Sequence, residues 1–149
     1  MKKIFSEENI ILNQSFQNKS EAIIYAGKVL VENGYTTPEY IESMLEREKV
    51  ASVYIGNNVA IPHGVSGSEK NIIKSGISFI QVPDGVPFGN GEVAYIIIGI
   101  AGKGDEHMDY LEQIAFVCSE EENITKLKNS NNKEEILKET LYISAETLH

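Results

Sequence analysis

The run Ala94-Tyr95-Ile96-Ile97-Ile98-Gly99-Ile100-Ala101 constrains the fold more than any other segment. A strand at a sheet surface alternates apolar and polar side chains, whereas this one offers water nothing on either side. It therefore reads as a central strand with both faces covered. Gly76 to Val82 alternates like a second strand, and Val53-Tyr54-Ile55 and Val59-Ala60-Ile61 read as short strands around a Gly56-Asn57-Asn58 turn. Ile10-Ile11-Leu12 reads as a short strand or a turn of helix. The segment from Pro83 to Gly91, with two prolines and three glycines up to Gly91 and Asn90 among them, reads as a tight loop.

Helical spacing fills the intervals between these strands. Asn18 and Glu21 have the spacing of a capping box, after which Ala22, Ile23, Ala26, Val29 and Leu30 recur with helical period and Gly34 ends the pattern. A second helix is expected to begin with Thr37 as its cap and Pro38 in its first position, continuing through Tyr40, Ile41, Met44 and Leu45. A third should start after Asp105 and reach about Ser119, followed by helical stretches near 121–128 and 133–141. Helices interleaved with strands predict an α/β protein with a mixed sheet. No repeat or linker divides residues 1–149, so one domain is expected.

The composition narrows the partners. A formal net charge of -9 lacks the clustered positive field that nucleic acid or an anionic membrane surface requires. No apolar run approaches the roughly 18–20 residues that span a bilayer, and Met1 to Phe5 leads into Ser6-Glu7-Glu8 rather than an apolar signal region. A cytoplasmic location without membrane insertion is the expectation. The single cysteine, Cys118, lies in an apolar helical stretch and reads as core.

Three residues stand out for chemistry. In Ile61-Pro62-His63-Gly64, the proline fixes its own φ and holds Ile61 extended, so His63 is delivered just past a strand at a defined angle, and Gly64 leaves room for a ligand or partner. An imidazole so placed suits nucleophilic or proton-transfer work, because its ordinary pKa near 6.5 leaves it largely neutral near pH 7. An idle loop histidine is the plainer reading of the tetrapeptide alone. Arg47 is the only arginine among thirteen basic residues and sits near the end of the second helix, where its rigid fork of donors could meet a phosphoryl group or carboxylate. His107 falls in the first turn of the helix after the central strand, where the helix terminus disfavours imidazolium and backbone N–H groups can hold an anion. It would otherwise cap its helix beside Asp105.

Other sites compete less well. Gly99 to Gly104 lies between strand and helix like a phosphate-binding loop, yet matches neither nucleotide pattern. His63, His107 and Glu106 lack the short spacings of a metal site, and no G-x-S-x-G elbow is present. No cofactor or metal is expected, and the terminal His149 reads as solvated.

These segments together resemble a known family. Tyr40 to Lys49 with its Met-Leu-Glu-Arg-Glu-Lys run, Gly56 to Gly64 ending in Ile-Pro-His-Gly, Gly76 to Gly89, Ile98 to Ala101, and Glu106-His107 are similar to the enzyme IIA component of the bacterial sugar phosphotransferase system. The likeness is to the fructose–mannitol superfamily, and within it to the mannitol type. It implies one mixed sheet flanked by helices on both faces. It also implies that His63 accepts a phosphoryl group from the histidine phosphocarrier protein and passes it to a cysteine of the IIB component, with His107 and Arg47 as accessory residues. The membrane IIC component would be served indirectly, and both IIB and IIC are expected as separate chains. Nε2 of His63 would attack while Nδ1–H donates to a backbone carbonyl. Val65 stands where the family leads one to expect threonine, and Pro87 where it leads one to expect a basic residue. The rival within the same fold is a nitrogen-type regulatory module whose phosphorylation state controls a partner.

Overall fold

The computed structural model describes the backbone of residues 4–104 and 106–147, and the side chains of all of these except 107 and 141–147. After a 3-10 turn at Glu7–Asn9, the elements are β1 (Ile10–Ile11), α1 (Lys19–Glu32), α2 (Glu39–Val50), β2 (Tyr54–Gly56) and β3 (Val59–Ala60). A 3-10 helix at Ser68–Asn71 leads to β4 (Gly76–Gly89), β5 (Glu92–Ala101), α3 (Glu106–Cys118), α4 (Glu121–Asn129) and α5 (Lys133–Thr147).

The strands form one sheet in the order β1-β4-β5-β3-β2. β1 is parallel to β4 and β3 to β5, while β4 with β5 and β2 with β3 run antiparallel. The isoleucine-rich strand is thus the middle one, as its composition requires. Ile97 and Ala101 enter one core with Ala22, Ala26 and Leu30 of α1 and Met44 of α2. Ile96, Ile98 and Ile100 enter the other with Tyr110 and Ile114 of α3, Leu127 of α4 and Ile136 of α5. Helices therefore cover both faces. On the α1 side the approach is close at Gly99, where a Cβ would fall 2.5 Å from Ser78 Oγ and 3.2 Å from Ala26 Cβ. Ser78 completes this contact by donating to the Ala26 carbonyl at 2.9 Å.

Local chemistry explains the turns. Asn57 and Asn58, at φ +50 and +66, take the left-handed geometry of a tight hairpin between β2 and β3. Asn18 Oδ1 accepts from the Glu21 N–H at 3.0 Å, while the Glu21 carboxylate accepts from the N–H of Gln17, one residue before the cap, at 2.8 Å. The box therefore closes one residue early on its return side.

Two expectations need correction. Helix α2 starts at Glu39 with Pro38 already helical (φ -58, ψ -28), and Thr37 makes no side-chain cap; its Oγ1 is buried without a hydrogen-bond partner in the structure. Only its carbonyl serves the helix, accepting from Tyr40 N at 3.1 Å. More substantially, the stretch from Pro83 to Gly89 is strand, not loop. β4 continues to pair with β5 through Val86–Ala94, Pro87–Val93 and Gly89–Glu92, after an irregularity between Gln81 and Val86 that accommodates Pro83 and Gly85. The turn itself is confined to Asn90 and Gly91, both at positive φ. No helix among the described residues is long and apolar enough to cross a membrane.

Candidate functional site

The chain leaves β3 still beside β5. Ile61 N donates to Val53 O at 2.9 Å, Pro62 O accepts from Ile100 N at 2.9 Å, and His63 makes an isolated parallel bridge to Ile100. His63 is only 9% exposed. Its Nδ1 lies 2.8 Å from the carbonyl of Ile61. A carbonyl has no proton to give, so in the neutral imidazole Nδ1 carries the hydrogen and Nε2 the lone pair. The strand that delivers the imidazole also sets its tautomer.

Tyr40 locks the next peptide. Its hydroxyl donates to the Ile100 carbonyl at 2.8 Å and accepts from the Gly64 N–H at 2.9 Å, so β5, α2 and the His63 loop meet at one oxygen. Burial pushes the Tyr40 hydroxyl up to about 12, which keeps its proton in place for the carbonyl. Gly64 itself has no side-chain space: a Cβ would lie 2.3 Å from Ser68 Oγ, 2.6 Å from Tyr40 Cε1 and 2.7 Å from Ser43 Oγ. The glycine makes room for the protein's own side chains rather than for a ligand, which corrects the sequence reading.

Arg47 occupies the last turn of α2. One guanidinium nitrogen donates to the Ala51 carbonyl at 2.6 Å, and the following connection is held by Glu48, which accepts from Val53 N at 3.0 Å and Ser52 Oγ at 3.1 Å. Arg47 and His63 line the same cleft of about 410 Å³, together with Tyr40, Glu69, Gly104 and Met108. Gly102 and Gly104, just past the end of β5, line this wall, so the far half of the Gly99 to Gly104 segment weighed above for nucleotide binding borders the histidine. His107 lies in the first turn of α3 beside Met108, which places its backbone at the cleft margin; its side chain lies outside the described residues, as do Asp105 and His149.

Glu106, considered above as a metal ligand, is engaged on both oxygens: Ser75 donates to one at 3.1 Å and Tyr110 to the other at 2.9 Å. Cys118 is 2% exposed, and burial pushes its thiol up to about 12. It behaves as a small core residue. Val65 lines the cleft with methyl groups, and Pro87 lies exposed on β4, opposite Val93.

Sequence reasoning missed Tyr40, Ser68 and Glu69. In the sequence Tyr40 reads as one position of an apolar helix stripe, and the one available signal is chemical: a buried phenol needs a partner for its hydroxyl. Ser68 and Glu69 follow Gly67, at φ +91, in a segment with no periodic pattern to place them.

Comparison with known proteins fits this geometry. Residues 3–141 match the family described as phosphoenolpyruvate-dependent sugar phosphotransferase system, EIIA 2. The mannitol-specific phosphotransferase enzyme IIA component of Geobacillus stearothermophilus is 49% identical over 134 residues, covering 90% of this chain and 92% of that protein. Its namesake from Bacillus subtilis (strain 168) is 47% identical over 135 residues, covering 91% and 94%. A solved complex of enzyme IIAMTL and phosphorylated enzyme IIBMTL from Escherichia coli contains a chain that superposes with a TM-score of 0.88 at 34% identity, covering 93% of this chain and 97% of that one. The chain belongs to the enzyme IIA family of the phosphoenolpyruvate-dependent sugar phosphotransferase system.

Proposed function

We propose that this enzyme IIA carries a phosphoryl group on Nε2 of His63, taken from the phosphohistidine of the histidine phosphocarrier protein and passed to a cysteine of a IIB component for mannitol uptake through a membrane IIC component. The observation that carries this reading is the contact between His63 Nδ1 and the Ile61 carbonyl, which leaves the nucleophilic lone pair on Nε2. Residues 1–149 would act as one enzyme IIA domain in the cytoplasm, needing neither cofactor nor metal. The mannitol assignment rests on the named function of the relatives at 47% and 49% identity.

The chemistry balances without a proton leaving the site. As Nε2 attacks phosphorus in line, the donor's N–P bond breaks and its protonated phosphoimidazole departs as a neutral imidazole. His63 becomes a phosphoimidazolium, and its Nδ1–H stays on the Ile61 carbonyl, which now stabilises a positive ring. In the second step a thiolate of IIB attacks the same phosphorus, an S–P bond forms, and His63 leaves as a neutral imidazole. Little covalent machinery is needed; positioning and charge on the equatorial oxygens decide the rate. Arg47 and His107 are assigned to that charge.

The test is sequential. Protein mixed with phosphoenolpyruvate, enzyme I and the phosphocarrier is expected to take label at His63, then lose it to the cysteine of a mannitol-type IIB. Label that forms but passes to no mannitol- or fructose-type IIB would favour the nitrogen-type regulatory reading. His107→Ala is expected to label slowly and to transfer onward about 10²-fold or more slower than wild type; equal transfer rates would remove His107 from the mechanism. Arg47→Lys keeps the charge but loses the fork. The single ammonium nitrogen of a lysine cannot both hold the Ala51 carbonyl and face the cleft with the fork's geometry, so onward transfer is expected to fall by roughly tenfold or more. Unchanged kinetics would make Arg47 a helix-end residue only.

A further inference from the structure

The Gly104 N–H, in the loop between β5 and α3, donates to Glu69 Oε1 at 2.8 Å. Both residues line the His63 cleft. A backbone N–H ahead of a helix is the kind of donor that holds a phosphoryl oxygen, and here a carboxylate from the 3-10 helix Ser68–Asn71 already occupies it. That helix starts four residues past His63's neighbour Gly64, and Ser68 Oγ ties it back by donating to the Val65 carbonyl at 2.6 Å. Glu69 is thus carried on the same loop as the nucleophile.

Charge makes the placement consequential. Arg47 and Glu69 are the two formally charged residues among the described lining residues, one of each sign. A phosphoryl group adds roughly two negative charges to that cleft. It meets one guanidinium, one carboxylate, and an amide that the carboxylate is using.

We propose that Glu69 sets how readily His63 gives up its phosphoryl group, by holding the Gly104 N–H and a negative charge within the same cleft. The inference rests on the carrier reading above and deepens it. A carrier must not bind its phosphorylated state much more tightly than the transition state for passing the group on. Glu69 raises the phosphorylated state relative to the free one, so the group leaves more easily. It touches no reacting atom in this role; it tunes the site.

The experiment compares wild type, Glu69→Gln and Glu69→Ala. Glutamine keeps an oxygen for the Gly104 N–H but removes the charge; alanine removes both. With the phosphocarrier as donor, the equilibrium for phosphoryl exchange is expected to move toward phosphorylated His63 by about tenfold in Glu69→Gln and further in Glu69→Ala, which also frees the Gly104 N–H. Raising salt should move wild type little, because the Arg47 attraction and the Glu69 repulsion are screened together, and should move the variants back toward free His63, because only the attraction is left to screen. Phosphohistidine formed chemically with phosphoramidate is expected to hydrolyse about threefold more slowly in both variants. A shift in Glu69→Ala alone would show a loop clip rather than a charge effect and overturn the proposal, as would exchange equilibria equal to wild type. Failure of the phosphocarrier to label wild type would sink the carrier reading instead, and equal hydrolysis lifetimes of the chemically labelled proteins would then overturn the role of Glu69 by itself.

Discussion

His63→Asn is expected to abolish labelling by the phosphocarrier, reducing it by more than about a thousandfold, while leaving the fold close to wild type. Removing the only nucleophile of a covalent step leaves no slower route to the same product. Asparagine is a sharper choice than alanine because its side-chain amide can still donate to the Ile61 carbonyl, replacing the 2.8 Å contact that Nδ1 makes. His63 is only 9% exposed, so alanine would also leave a gap and a buried carbonyl short of its donor, a cost of about 1–3 kcal/mol. Labelling and thermal unfolding measured together separate the two effects. Label retained by His63→Asn at a rate near wild type would place the phosphoryl group on another residue and end the reading of Nε2 as nucleophile.

The placement of His63 was legible in the sequence because it is local, while the phosphoryl role of its Nε2 was implied by the family resemblance. Pro62 fixes the backbone before His63, and the carbonyl that sets the tautomer belongs to Ile61, two residues upstream. The hairpin at Asn57 and Asn58 and the central placement of β5 were legible for the same reason, since left-handed turns and unbroken apolar runs are properties of a few consecutive residues. The Pro83 to Gly89 segment misled because proline and glycine punctuate a strand only when its pairing partner cannot absorb them; β5 absorbs them at two irregularities, between Gln81 and Val86 and between Pro87 and Gly89. Even there Val86 and Phe88 are buried while Pro87 and Gly89 are exposed, an alternation the turn residues obscured. The surroundings of His63 were illegible because they are made at a distance in the chain. Tyr40 reaches Gly64 across 24 residues and Ile100 across 60, and Glu69 reaches Gly104 across 35. No spacing rule in a single sequence encodes such contacts.

Gly64→Ala is expected to have the second largest effect, on stability and on transfer together. The added methyl would lie within 2.3 Å of Ser68 Oγ, 2.6 Å of Tyr40 Cε1 and 2.7 Å of Ser43 Oγ, and none of the three is free to retreat cheaply. Ser68 Oγ donates to Val65 O at 2.6 Å, Ser43 Oγ donates to Tyr40 O at 2.7 Å, and the Tyr40 ring is buried. The loop must therefore move off α2, losing the Gly64 N–H bond to the Tyr40 hydroxyl. Overpacking and the lost bond together cost about 2–4 kcal/mol, which for a chain of this size lowers Tm by roughly 5–15 °C. Because the same peptide carries His63, a displacement near 1 Å misaligns in-line attack and is expected to slow labelling by about 10²-fold. Adding Ser68→Ala removes the nearest obstacle but not Tyr40, so it should recover part of the stability and little of the rate. Full recovery of both would locate the tight contact at Ser68 alone, and Tyr40 would lose its place as the residue that aims the histidine.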